Sequence, residues 1–161
     1  MRLPMAALDW SVDLSSLVIL LVLLCLSFPS AGAPAIAELR VGAHVIKAEI
    51  ANTAASRTQG LMNRNAICED CGMLFVFTEA GKYGSWMKST SIPLSVAFIS
   101  SNGVITKIVD MQPGSEAIHE GPEDTLYALE TRAGWFELNG IGVGVEVRDM
   151  KTMAYFRSMA E

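Results

Sequence analysis

The spacing of apolar and polar positions changes character several times along the chain. Leu17 to Leu26 is an unbroken apolar run of ten residues, the size of a signal-peptide core and too short to span a bilayer comfortably. From Glu38 the pattern turns β-like, with Leu39 to Val41 and His44 to Ile50 bounded by Gly42 and by Asn52 and Thr53, which predicts two short strands. Thr53 is placed to cap a helix over Ala54 to Met62, with Arg57, Leu61 and Arg64 along one side. Gly72 to Phe77 is apolar at consecutive positions, which predicts a central strand covered on both faces. Ser85 to Thr90, Leu94 to Ser101 and Val104 to Met111 read as further strands. Asn102-Gly103 joins the last two as a two-residue hairpin turn needing positive φ. After an acidic loop from Gly114 to Asp124, a strand is expected over Leu126 to Glu130 and a short helix over Arg132 to Leu138, stopped by Asn139-Gly140. Val143 to Arg148 supplies a last strand and Met150 to Ala160 a terminal helix.

Many short strands, two short helices and no strand-helix alternation predict an α+β, mostly β domain, compact and either small-barrel-like or a sandwich. The expected organisation is a signal peptide over 1–35, a single β-rich domain over 38–150 and a helical tail over 151–161. Three overlapping small-x-small sites between Ala31 and Ala37 place cleavage from Ala33 to Ala37, and so predict export to the periplasm or the outside. Because Arg2 is offset by Asp9 and Asp13, a retained N-terminal anchor is the alternative. Without the leader about 125 residues remain, enough for one core but not two. Of the chain's 12 Lys and Arg and 17 Asp and Glu, the charges are scattered, so there is no basic footprint for nucleic acid.

Four segments form a pattern: Ala51 to Met62, Gly72 to Phe77, Trp86-Met-Lys-Ser-Thr90 with Ile92-Pro-Leu94, and Tyr127-Ala-Leu-Glu130 with Gly134-Trp135. Together they resemble the bacterial and archaeal family called domain of unknown function 192, over nearly the whole chain after the leader. The resemblance implies a compact, mostly β, barrel-like domain, often behind an export signal, with no established activity. The chain departs from the family pattern where it carries Ser89, Ser95 and Gly144-Val145, positions at which the family usually has Asn, Asp and Gly-Asp.

Cys68-Glu-Asp-Cys71 is open to three readings: a redox dithiol, part of a metal site, or a local disulfide. A reactive dithiol needs a stabilised thiolate, and Glu69 and Asp70 oppose one. Structural zinc needs four ligands, and beyond the leader the only other classical ligands are His44 and His119. Copper ligation by cysteine with Met62, Met73 or Met87 is chemically reasonable, although Met more often fills a core. A disulfide formed after export is the favoured reading, adding about 2 kcal/mol by loop entropy.

No nucleophile-base pair or carboxylate pair stands out, so catalysis is a minority reading with no catalytic residue assigned. The candidate binding residues are Trp86, Lys88, Thr90, Glu130, Arg57 and Arg64. Strand alternation would put Trp86, Lys88 and Thr90 on one face, and the lone Glu130 in an apolar strand is the expected partner of Lys88, with Arg57, Arg64 and Arg132 competing for the pairing. The sequence therefore predicts an exported, non-catalytic module binding a small ligand or an envelope component, without cofactor or metal. A metal or thiol-redox accessory using Cys68 and Cys71, and an enzyme with an unrecognised site, are the alternatives.

Overall fold

The structure, a computed structural model, describes residues 34–149, 155 and 157–159. The expected leader and most of the expected terminal helix lie outside the described residues.

β1 (Ile36–Val41) alternates exposed and buried side chains along its whole length, the period-two signature of a strand with one covered face. It turns into β2 (His44–Ala51) through Gly42-Ala43. Gly42 alone has positive φ there, at +59°, as a type II′ hairpin demands. α1 (Ala54–Gln59) starts at a reciprocal cap: Thr53 Oγ1 accepts from the Ser56 amide at 3.1 Å and Ser56 Oγ accepts from the Thr53 amide at 3.0 Å. The helix is shorter than the expected span to Met62, because Gly60 (φ +47°) ends it. Arg57, Leu61 and Arg64 therefore do not share one helical face.

β3 (Cys71–Gly81) pairs parallel with β2 and antiparallel with β8 (Thr125–Arg132). β5 (Leu94–Ser100) and β6 (Ile105–Met111) form the predicted hairpin. Its loop differs from the expected one: Gly103 donates to the Ser100 carbonyl and alone has positive φ, so the connection spans Ser101 to Gly103 with glycine in the left-handed position. The short strands β4 (Gly84–Ser85) and β7 (His119–Glu120) make a separate two-stranded ribbon. α2 (Trp135–Leu138) begins only after Gly134 (φ +77°), so Arg132 belongs to the end of β8 rather than to a helix.

The main sheet runs β6-β5-β8-β3-β2-β1-β9, with β9 restricted to Val147–Arg148. β3, the predicted central strand, lies in the middle. Residues 144–147 reach the opposite edge: Ile105 N donates to Val145 O at 3.0 Å, Gly144 N to Ile105 O at 2.8 Å and Val147 N to Gly103 O at 2.8 Å, while β9 also pairs with β1. The C-terminal segment thus bridges the two edges of the curled sheet and makes it barrel-like. The expected longer strand from Val143 is interrupted because Gly144 adopts φ +92°.

Apolar side chains cover both faces. Leu74, Val76, Ala97, Ile99, Tyr127 and Leu129 pack with β1, β2 and α2. The alternate positions Met73, Phe75, Val96, Phe98 and Ala128 pack beneath Leu61, Met87 and Ile92. The second layer carries the site.

Candidate ligand-binding site

The segment after β4 is held down by its own backbone. Met87 N donates to Ser115 O at 3.0 Å, Thr90 N to Met87 O at 3.1 Å and Gly114 N to Thr90 O at 3.0 Å, and the Met87 side chain is fully buried. Burial alternates from Ser85 (inside) and Trp86 (outside) to Met87 (inside) and Lys88 (outside). The alternation then breaks because Ser89 takes φ +54°. Thr90 is accordingly buried rather than displayed beside Trp86 and Lys88, a correction to the expected shared face.

Between this segment, α1 and the β3-β8-β5 surface lies a cavity of about 100 Å³. Phe75, Phe98 and Ala128 form its apolar floor, with Glu130, Ser85 and Thr90 as the buried polar groups and Phe77, Tyr83 and Trp86 at the mouth. Glu130 follows Ala128 by two residues on the same face of β8, so the strand's period sets it here. It is 5% exposed. Burial pushes its carboxyl up to about 7, opposed by the neighbouring Ser85 hydroxyl. Phe77 and Tyr83 stack with ring centroids 3.6 Å apart and planes 2° from parallel, while Trp86 remains 42% exposed. An open groove lined by Ala54, Arg57, Thr58, Phe77, Tyr83 and Trp86 continues from the mouth.

Of the six sequence-predicted binding residues, Trp86, Thr90, Glu130 and Arg57 line this cavity. Lys88 does not, and the predicted Lys88–Glu130 ion pair is absent: Lys88 is exposed, with Nζ 5.4 Å from the Trp86 ring centroid. Arg64 is also elsewhere. It makes a two-pronged pair with Glu49 at 2.5 and 2.6 Å, and this bond holds the Glu49 carboxyl below its usual range, burial opposing. Arg57 Nη1 donates to the carbonyls of Asn52 (2.8 Å) and Val76 (3.0 Å), joining α1 to β3. Sequence reasoning missed Phe77, Tyr83, Phe98 and the role of Ser85. Phe77 was findable, since it extends the Met73-Phe75 period.

Cys68 and Cys71 sit at disulfide distance with Cα atoms 5.1 Å apart. The acids between them serve the fold: Glu69 pairs with Arg132 at 2.7 Å and Asp70 accepts from Trp135 Nε1 at 3.1 Å. Among the described residues no three His, Cys, Asp or Glu side chains cluster as metal ligands would, and no helix is long and apolar enough to cross a membrane.

The family model of domain of unknown function 192, described as uncharacterised ACR, matches residues 37–148. The chain belongs to this family. Two solved structures share its fold. One is a protein from Sinorhizobium meliloti 1021 described as a candidate transcription regulator, 34% identical, with a TM-score of 0.71 and covering 74% of this chain and 97% of its own. The other is a protein of unknown function from Novosphingobium aromaticivorans DSM 12444, 30% identical, with a TM-score of 0.68 and covering 73% and 94%. No curated protein matches the chain. Within domain of unknown function 192 the two departures at Ser89 and Ser95 lie outside the cavity lining. Ser89 occupies a left-handed backbone position that Asn tolerates well. Ser95 donates to the Asp110 carboxylate and accepts from the Gly134 amide at 2.9 Å.

Proposed function

We propose that this protein is an exported, non-catalytic member of domain of unknown function 192 that binds a small ligand through the cavity under Trp86. The observation that carries the reading is the buried Glu130–Ser85 pair at the base of an aromatic-rimmed cavity. A carboxyl so placed adds nothing to packing and is costly to desolvate, whereas convergent polar groups in an apolar pocket are what fixes a ligand's orientation. The charged group lining the cavity floor is an acid and not the Lys88 ammonium, so the site does not call for an anion. Export rests on the leader's apolar core and small-residue sites. Its support from the fold is that β1 starts at Ile36, so cleavage after Ala33 leaves the strand whole.

Titrating the isotope-labelled protein, begun at Pro34, with the small-molecule fraction of an envelope extract tests this reading. Resonances of Tyr83, Trp86 and Glu130 should move while the buried Trp135 indole stays. Shifts confined to other surfaces, or none, would overturn it.

A further inference from the structure

The size and charge of the cleft narrow its ligand further. The cavity, at about 100 Å³, has room for the edge of a ring and not for a drug-sized molecule, which needs roughly 300 Å³ or more. The groove outside it, about 370 Å³ and open, shares Arg57, Thr58, Phe77, Tyr83 and Trp86 with the cavity. A ligand filling both is elongated: one group enters and its neighbour lies along the aromatic rim.

Charge excludes two classes. An anion would have to approach Glu130, a buried acid that shares the cavity with the Ser85 hydroxyl. A cation would seek the carboxyl and the ring faces, but the protein's own cations already stand on one side of the Phe77 and Trp86 rings, and their charge opposes a second one there. The Arg57 guanidinium carbon is 5.8 Å from the Phe77 centroid and Lys88 Nζ is 5.4 Å from that of Trp86. A neutral hydroxylated ligand meets neither repulsion. A hydroxyl both donates and accepts, so it satisfies the Glu130 carboxyl in either protonation state. Burial holds that carboxyl near 7, where both states are populated. The Tyr83 and Trp86 rings offer flat apolar surface with polar tips, suited to the C–H face of a sugar ring.

Building on the binding function proposed above, we propose that the cleft takes a neutral glycan, with a hydroxyl-bearing edge of one sugar against Glu130 and Ser85 and the adjoining unit on Tyr83 and Trp86.

The test uses the chain from Pro34 with neutral disaccharides of glucose, galactose, mannose and N-acetylglucosamine, and with the glucosamine disaccharide and glucuronate as matched cation and anion. Binding is read from saturation transfer to the sugar and from the Trp86 indole resonance. At least one neutral disaccharide should shift Trp86, with the charged analogues weaker by about tenfold or more. Glu130→Gln and Trp86→Ala should each cut that affinity by about tenfold or more while unfolding stays cooperative. If the cation or the anion binds more tightly, the glycan assignment falls and the cleft survives as a site of another class. If no probe moves Trp86, the glycan assignment falls, and the envelope-extract titration decides the underlying binding function separately.

Discussion

The Ser85 hydroxyl and the buried Glu130 carboxyl line the same cavity, bringing the short β4 ribbon against the centre of the main sheet. The hydroxyl favours the ionised acid, burial disfavours it, and burial wins. Because the folded-state value of about 7 lies above the ordinary 4.5, the folded protein holds this proton longer than the unfolded chain. Stability from Glu130 is therefore full below about pH 4.5 and falls as pH rises through about 7. The loss over this window should be roughly 3 kcal/mol. Glu130→Gln should flatten that slope and be more stable than the parent at pH 8, as measured by urea unfolding at several pH values. An equal slope in both proteins would mean that the carboxyl is solvated.

Lys88 and Arg64 should behave differently on truncation. Lys88 is exposed and lies over Trp86, so Lys88→Met should change unfolding free energy by less than about 0.5 kcal/mol. Arg64→Met breaks a partly buried, two-pronged pair with Glu49 and should cost about 1 kcal/mol, less at high salt. The reverse order would restore the predicted Lys88–Glu130 pair.

Ser89→Asn should stabilise the protein by about 0.5 kcal/mol or more, because Ser89 sits at φ +54° and Asn is enriched in left-handed conformations. The site is outside the cavity lining, so the same variant should leave ligand binding unchanged. Thermal unfolding and the Trp86 resonance check both halves.

With Cys68 and Cys71 at disulfide distance, a free-thiol count on the protein isolated without reductant should find neither reactive. Replacing both by Ser should cost at most about 2 kcal/mol without loss of the fold, since Glu69–Arg132 and Asp70–Trp135 still tie this turn to the end of β8 and to α2. Two free thiols, or unfolding of the double variant, would contradict this.

Much of the fold was legible because its signals are local. Thr53 marked the helix cap, Gly103 the hairpin and the doubly apolar run around Leu74 the central strand. Glu130 stood out for a similar reason, as one acid in a strand otherwise apolar. Its neighbour in the cavity was not legible: alternation holds from Ser85 to Lys88, but nothing local says that the inner face, with Ser85, is the one that meets Glu130. A single left-handed residue, Ser89, separately turns Thr90 from the outer face to the inner one. The closure of the barrel was equally hidden: it depends on Gly144 and Val145 meeting Ile105 across the chain, a relationship no local pattern encodes. Glu69 and Asp70 were read for their effect on thiol chemistry, while their distant partners Arg132 and Trp135 show an anchoring role.

The claim that the Trp86–Glu130 cleft holds a ligand is tested most directly by native mass spectrometry of the protein isolated gently from its own cells. Wild type should carry a one-to-one adduct that is lost in both Trp86→Ala and Glu130→Gln and kept in Lys88→Met. Absence of any adduct, or an adduct retained equally in all three variants, would contradict the account.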